Sequence, residues 1–252
     1  NGTTQYIYGQ VYNGTAWGNV QLLSSWSAAT FLDVHNFSGT YLSNGDFMAV
    51  YSDNTNIPKM RIWNGTSWAA AISLPAMTAG AIPNYIVARA RPSTNEVMVA
   101  FFDQTKETFT AYFNGGAYIA GNWTLHARHA SATQDNTHQF VDFAWSPNNT
   151  LTGGLVYSDV SADKAMNIKI WTANGTGAGS WTATANTTAQ TNNIGAVSIV
   201  GRAGANEFDA CSKDQGVTPT VIWFKRHFTP ILPTPTPHPP PPPPDTAPQH
   251  AT

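Results

Sequence analysis

Asp46-Phe-Met-Ala-Val-Tyr-Ser-Asp53, followed by Pro58-Lys-Met-Arg-Ile-Trp-Asn-Gly-Thr-Ser-Trp68, decides the fold. It reads as a strand, a short polar loop, a second strand, a tight turn and the return of a third. Asn64-Gly65 between two apolar runs is a strong hairpin signal, because both residues tolerate positive φ.

The unit recurs along the chain. Asn84–Arg91, Glu96–Asp103 and Phe109–Tyr118 form a second copy. Gln139–Trp145, Gly154–Asp159 and Asn167–Trp171, with Asn174-Gly-Thr leading to Trp181, form a third. Ala196–Arg202, Glu207–Asp214 and Val221–Phe224 form a fourth. The first copy opens with an expected strand over Thr30–Phe37. An aspartate closes the second strand at 53, 103, 159 and 214, and Asn-Gly turns fall at 13, 64, 114 and 174. Two landmark series with steps of 50–60 residues, and about four short strands per step, predict stacked sheets that cannot bury both faces alone. The expected fold is all-β: a β-propeller of about four, or five, four-stranded blades over residues 1–228. A β-sandwich is the alternative.

An extra half-unit, Gln5–Leu23, precedes the first copy. It either supplies the outer strand of the last blade, or forms part of a fifth, incomplete blade, or pairs with another molecule. Residues 229–252 change character, with Pro233, Pro235, Pro237 and the run Pro239–Pro244. This Pro-rich C-terminal tail favours extended polyproline II and reads as a linker or stalk, or as a segment held by a neighbour.

Only 10% of the 252 residues are charged, against roughly 25% in an average soluble domain, so Thr, Ser, Asn and Gly carry the polar surface. A net charge of −2 without a basic cluster argues against nucleic acid. The single Cys211 excludes an intrachain disulfide framework and a Cys-rich metal site. No apolar run is long enough for a helical membrane span. The chain opens on Asn1 rather than Met, and a removed upstream segment is expected.

Val50-Tyr-Ser-Asp53 with Arg61-Ile-Trp-Asn-Gly-Thr-Ser-Trp68 resembles the "VYSD…WNGTxW" repeats of large bacterial and archaeal secreted and cell-surface proteins, over roughly Gln5–Phe228. The resemblance implies propeller-like domains, an extracellular setting and a binding or structural role without attached chemistry. Sialidase-type and lectin-type propellers are similar in spirit only. The sialidase Asp-box pattern is not matched at Ser52-Asp53 or Ser158-Asp159.

Candidate residues fall into four groups. Asn13, Asn36, Asn64, Asn122, Asn148, Asn174 and Asn186, with Asn1, begin N-glycosylation sequons. At Asn13, Asn64 and Asn174 the turn itself explains the Asn. Trp17, Trp68, Tyr118 and Trp181 follow the four turns. They read as weak ligand-binding candidates, rings that could stack on a pyranose. Packing between blades is favoured, because a ring equivalent in every repeat suits stacking. Asp33, His35, Arg89, Arg91, Asp142 and Arg202 are expected to meet along an axis, as an ion network ahead of a catalytic centre. His126, Arg128, His129 and His138 cluster loosely, without the spacing of a metal motif. No catalytic residue, cofactor or metal site is assigned, and no enzyme activity is expected.

The leading expectation is a glycosylated, extracellular, structural or adhesive module, a subunit of a surface appendage, filament or pilus whose partners are copies of itself or other appendage proteins. The alternatives are a glycan-binding lectin with one site per blade, and a glycoside-processing enzyme with an axial site.

Overall fold

The computed structural model describes residues 4–27, 35–131, 138–148, 151–159, 164–174, 179–187, 189, 192–203, 207–214 and 222–228. The strands follow as β1 (Thr4–Tyr12), β2 (Trp17–Ser27), β3 (Phe37–Tyr41), β4 (Phe47–Tyr51), β5 (Lys59–Trp63), β6 (Ile72–Ser73), β7 (Pro83–Ala90), β8 (Val97–Asp103) and β9 (Thr108–Phe113). Then come β10 (Trp123–Leu125), β11 (Val141–Trp145), β12 (Thr152–Tyr157), β13 (Asn167–Ala173), β14 (Gly179–Trp181), β15 (Ala185–Asn186), β16 (Ile194–Gly201), β17 (Glu207–Asp214) and β18 (Ile222–Phe228). One short 3₁₀ turn, Ala120–Asn122, precedes β10.

The repeats become four antiparallel meanders: β3-β4-β5-β6, β7-β8-β9-β10, β11-β12-β13-β14 with β15 also on β13, and β16-β17-β18. Their first strands stand side by side in chain order, β3 against β7, β7 against β11 and β11 against β16. The all-β, four-stranded-unit expectation therefore holds for the first two sheets. The third gains a strand, and the fourth shows three among the described residues.

Boundaries shift by a few residues. Of the stretch Thr30–Phe37 expected as a strand, only residues 35–37 are described, and the strand found begins at Phe37 and runs to Tyr41, which places Phe37 opposite Tyr51 and Tyr41 opposite Phe47. Residues 28–34, with Asp33, lie outside the described residues, as do Asn1 and the Pro-rich segment 229–252.

Two apolar layers hold the sheets together. Met48, Val50, Met60 and Ile62 of the first sheet pack on Ile86, Val99 and Phe101 of the second. The opposite face of the second sheet, with Tyr85, Phe102 and Tyr112, joins Phe143, Leu155 and Trp171 of the third and Ile199 and Phe208 of the fourth. Every residue of β8 and β9 is buried, because this sheet is covered on both faces. Each fully buried large side chain here contributes about 2–3 kcal/mol.

Hydrogen bonds add register to this packing. Ser38, Val87, Asp142 and Ser198 occupy one repeat position, each opposite the residue three before its unit's landmark aspartate. Ser38 Oγ accepts from the Ala88 amide of the next sheet at 3.0 Å. Asp142 Oδ2 does the same for Ile199 at 3.0 Å. Val87 has no acceptor to offer, and the amide it would serve, Phe143 N, is taken by Asp142 Oδ1 at 2.8 Å. The backbone repeats the logic, with Ile86 N donating to His35 O and Val197 N to Gln139 O, both at 3.0 Å.

Among the described residues the hairpin β1-β2 is a two-stranded sheet of its own and does not join β18. The outer-strand assignment to the last unit is thus not what the structure shows. The hairpin lies on the first sheet instead. Ile7 and Ser24 on its inner face are buried, and Trp68 Nε1 donates to Asn19 O at 3.0 Å. A Cβ on Gly9 would sit 2.7 Å from the Trp68 ring. Gly9→Val is therefore expected to push Trp68 out and cost about 1–3 kcal/mol. Urea unfolding of the variant checks this, and unchanged stability would remove the contact from the account.

Candidate functional site

The sequence-selected aromatic rings have a common structural job. Each packs on a ring across its hairpin: Trp17 on Tyr12 at 5.3 Å, Trp68 on Trp63 at 5.7 Å and Trp181 on Trp171 at 5.2 Å in tilted pairs, and Tyr118 on Phe113 at 5.9 Å in a stacked one. Three then reach the preceding unit. Trp68 bonds Asn19, Tyr118 donates to Asp46 Oδ2 at 2.5 Å, and Trp181 Nε1 donates to His126 Nδ1 at 3.2 Å. Burial, then the Asp46 carboxylate, push the Tyr118 phenol up to about 12. Trp68, Tyr118 and Trp181 are half-buried, and only Trp17, 66% exposed, shows an open ring. The set does not form one sugar platform per unit.

The turn asparagines behave as turn residues. Asn13 Oδ1 accepts from Thr15 N, Thr15 Oγ1 and Ala16 N, and Asn64 Oδ1 from Thr66 N, Thr66 Oγ1 and Ser67 N. Gly14 and Gly65 hold φ of 96° and 91°, which a β-carbon would strain. Of the sequon asparagines, Asn13, Asn64, Asn148, Asn174 and Asn186 are exposed. Asn36 is buried, and Asn122 is half-buried with its amide donating to Ala117 O. Asp103 closes its own turn, accepting from Thr105 N, Thr105 Oγ1 and Glu107 N.

The axial ion network is smaller than the sequence suggests. Arg91 pairs with Glu96 at 3.0 Å and Arg202 with Glu207 at 2.9 Å, each across its own strand turn five residues away. Arg89 alone crosses to another sheet, reaching Asp142 at 3.4 Å. Asp142 is buried, and with Ser198 Oγ donating at 3.0 Å it ties together the second, third and fourth sheets. Burial is the chief influence on its carboxyl and raises its pKa, against the opposing pull of the Ile199 amide and Arg89.

Beside this pair opens a cleft of about 340 Å³ between the first strands of the first and second sheets. His35, Phe37 and Ser38 form one wall, Tyr85 and Arg89 the other, and Gln139 the end. The His35 ring stands edge-on to Tyr85 at 5.8 Å and 79°, and Phe37 is 54% exposed at the rim. About half of the Arg89 side chain is open to solvent while its carboxylate partner is not. The cleft thus offers a fixed cation, an imidazole, an amide and hydroxyls beside aromatic walls. Its lining carries no carboxylate among the described residues.

The histidine cluster also resolves into parts. Arg128 pairs with Glu107, and His138 lies against Phe140. His126 and His129 meet through Thr110, whose Oγ1 is 2.8 Å from His126 Nδ1 and 2.8 Å from His129 Nε2. Trp181 Nε1 can only donate, so His126 Nδ1 is an acceptor. Thr110 then donates to His126 and accepts from His129 Nε2–H, which leaves His129 Nδ1 facing Lys169 Nζ at 3.5 Å. Burial lowers His126 to about 4, and burial with the Lys169 charge lowers His129 to about 3. Both rings are neutral at pH 7. No group of three or more metal-ligating side chains exists among the described residues. Sequence spacing alone had no means of finding Thr110 as the bridge.

No protein-family model matches the chain, and neither does any curated protein. Among solved structures the chain is similar to the BP39L lectin from Burkholderia pseudomallei, with 13% identity, a TM-score of 0.53, and 92% of this chain and 67% of that one covered. The leech intramolecular trans-sialidase shares 14% identity and a TM-score of 0.52, with 88% and 36% covered. The intramolecular trans-sialidase from Ruminococcus gnavus shares 12% identity and a TM-score of 0.52, with 88% and 50% covered. The chain therefore spans about a third to a half of the two trans-sialidases. The likeness shows the fold: the four sheets are arranged as in lectin and sialidase propellers.

These neighbours overturn the structural or adhesive reading. A filament, pilus or appendage subunit has no support among them, and neither do copies of the chain or appendage proteins as partners. The glycan-binding alternative fits them better. No helix among the described residues is long and apolar enough to cross a membrane.

Proposed function

We propose that this chain is an extracellular glycan-binding propeller module that takes a saccharide into the cleft between His35 and Arg89. The observation that carries the reading is the cleft itself, with aromatic walls at Phe37 and Tyr85 and convergent polar groups at His35, Ser38, Arg89 and Gln139. Apolar walls with a few fixed polar groups are what a sugar ring needs, one hydrophobic face and a rim of hydroxyls. The lectin among the structural neighbours supports binding, and the secreted-protein resemblance of the repeat supports the compartment. Binding is favoured over hydrolysis because glycoside cleavage ordinarily uses two carboxylates. In this cleft the nearby Asp142 is already spent on two backbone amides, a serine and Arg89.

A glycan array followed by calorimetry tests the reading. Arg89→Ala and His35→Ala are each expected to weaken the best ligand by at least about tenfold, the value of one or two lost polar contacts. An array without hits, or hits indifferent to both substitutions, would sink it. Release of new reducing ends from the bound glycan would move the assignment to the enzyme.

A further inference from the structure

We infer that the cleft between His35 and Arg89 selects an anionic pyranose, a sugar ring whose carboxylate or sulfate ester pairs with Arg89. The inference rests on the glycan-binding reading above and names the class of sugar within it. The first observation is that the repeat does not need an arginine here. Five residues before the four landmark aspartates, Met48, Met98, Gly154 and Asp209 stand opposite Thr40, Arg89, Ala144 and Val200. In the first sheet Thr40 Oγ1 ties this position to the next sheet, accepting from Ala90 N at 3.1 Å. The third and fourth sheets fill it with apolar side chains. Arg89 is the one charge in the set.

The second observation is how loosely the fold holds that charge. Nη1 donates to Ala88 O at 3.2 Å and Nη2 to Asp142 Oδ1 at 3.4 Å. A firmly seated charge-assisted bond is shorter, about 2.7–2.9 Å. Arg91 and Arg202 come close to that on their glutamates, at 3.0 and 2.9 Å. Asp142 is also shared, because Phe143 N, Ile199 N and Ser198 Oγ all donate to it at 2.8–3.0 Å. The guanidinium is therefore positioned by the sheets without being consumed by them, and the side chain stays 45% exposed.

The third observation is what surrounds it. His35 and Gln139 hold one repeat position, three residues before Ser38 and Asp142. In both, the backbone carbonyl does the structural work, taking Ile86 N and Val197 N from the next sheet. Their side chains are left to line the cleft. Gln139 gives its amide N–H to Val141 O at 3.3 Å and keeps its carbonyl oxygen for a hydroxyl. Ser38 Oγ accepts from Ala88 N and keeps its own proton to donate. A ring with one anionic substituent thus meets a guanidinium fork at one end and neutral donors and acceptors along the rest. Planar fork geometry suits a carboxylate or an ester sulfate, and a bare hydroxyl uses little of it.

Matched pairs of glycans test this on the intact protein. Glucuronate- and galacturonate-terminated glycans are set beside their glucose and galactose twins, and sulfated galactose glycans beside unsulfated ones. By calorimetry an anionic member is expected to bind at least about tenfold tighter than its neutral twin. Preference in the uronate pairs alone assigns a carboxylate, and in the sulfate pairs alone a sulfate ester; either supports the inference. Arg89→Gln should remove the preference and leave the urea midpoint near that of the wild type, because a solvated guanidinium adds little to the fold. Arg89→Lys keeps the charge without the fork and should keep part of the preference. Raising NaCl from about 50 to about 500 mM should shrink it in the wild type. Twins that bind alike, or a preference that survives Arg89→Gln, would overturn the inference and leave the glycan-binding reading standing. Binding by no member of any pair would sink that reading, and this one with it.

Discussion

Asp142→Ala is expected to lower stability by about 3 kcal/mol, measured by urea unfolding at pH 7. The amides of Phe143 and Ile199 and the hydroxyl of Ser198 all end on this carboxylate. Removing it strands two backbone donors inside the molecule, each costing about 1–3 kcal/mol. The Arg89 pair adds little, because that guanidinium is 45% exposed and water takes over its solvation. Asp142→Asn keeps one acceptor oxygen and should lose less than the alanine variant. A loss below about 1 kcal/mol for Asp142→Ala would mean that water replaces the carboxylate, and the account of the sheet junction would be wrong.

Acidification should weaken the molecule well before its carboxylates titrate. His126 and His129 are held neutral in the fold, at about 4 and about 3, against about 6.5 in the unfolded chain. Their folded values are depressed, so the stability they carry is fully present above pH 6.5. It is lost as pH falls toward the folded values, because the unfolded chain binds the protons first. Between pH 6.5 and 5 the loss is roughly 3 kcal/mol for the pair, about half from each histidine. The charged groups around the pair deepen the effect or leave it alone. Lys169 repels a second cation, while Glu107 is already paired with Arg128. Asp142 works in the opposite direction, since its raised value favours the folded state as protons are added. A His126→Gln, His129→Gln double variant should flatten the unfolding midpoint between pH 6.5 and 5, whatever its stability at neutral pH. A wild-type midpoint constant over that window, or a double variant with the same slope, would remove the neutral histidine pair.

The local chemistry of this chain is written in its sequence. Asn64-Gly65 predicts a hairpin because both residues tolerate a positive φ; the hairpin is found, but only Gly65 takes that conformation, and Asn64 caps the turn with its side chain instead. At Asp103 the side chain likewise caps its own turn. The repeat period yields the stacked sheets because each sheet needs a neighbour on its apolar face. Trp68, Tyr118 and Trp181 reach the preceding unit, as a ring repeated in every unit suggests, while Trp17 stays open. What was not legible depends on which residues meet across sheets. Arg89, Arg91 and Arg202 look alike in sequence, yet only Arg89 leaves its own strand turn. The partners of the other two sit five residues on, where strand register brings Glu96 and Glu207 opposite them. His126 and His129 were visible as neighbours, while Thr110, on β9, is brought between them only by the fold of the second sheet. The cleft was half legible. His35 and Arg89 were singled out, but Tyr85 and Gln139 acquire their place only when two sheets stand side by side.

The double coverage of β8 and β9 has a consequence for how the chain leaves the ribosome. Synthesis delivers the sheets in order, and each apolar face waits for the next. The second sheet emerges with one face already supplied with a partner and the other bare. That bare face, with Tyr85, Phe102 and Tyr112, stays uncovered until Phe143, Leu155 and Trp171 have been made. A nascent chain halted between residues 113 and 141 therefore still displays that apolar face. At that length the growing polypeptide is prone to stick to its neighbours, and the third sheet is what covers the exposed face.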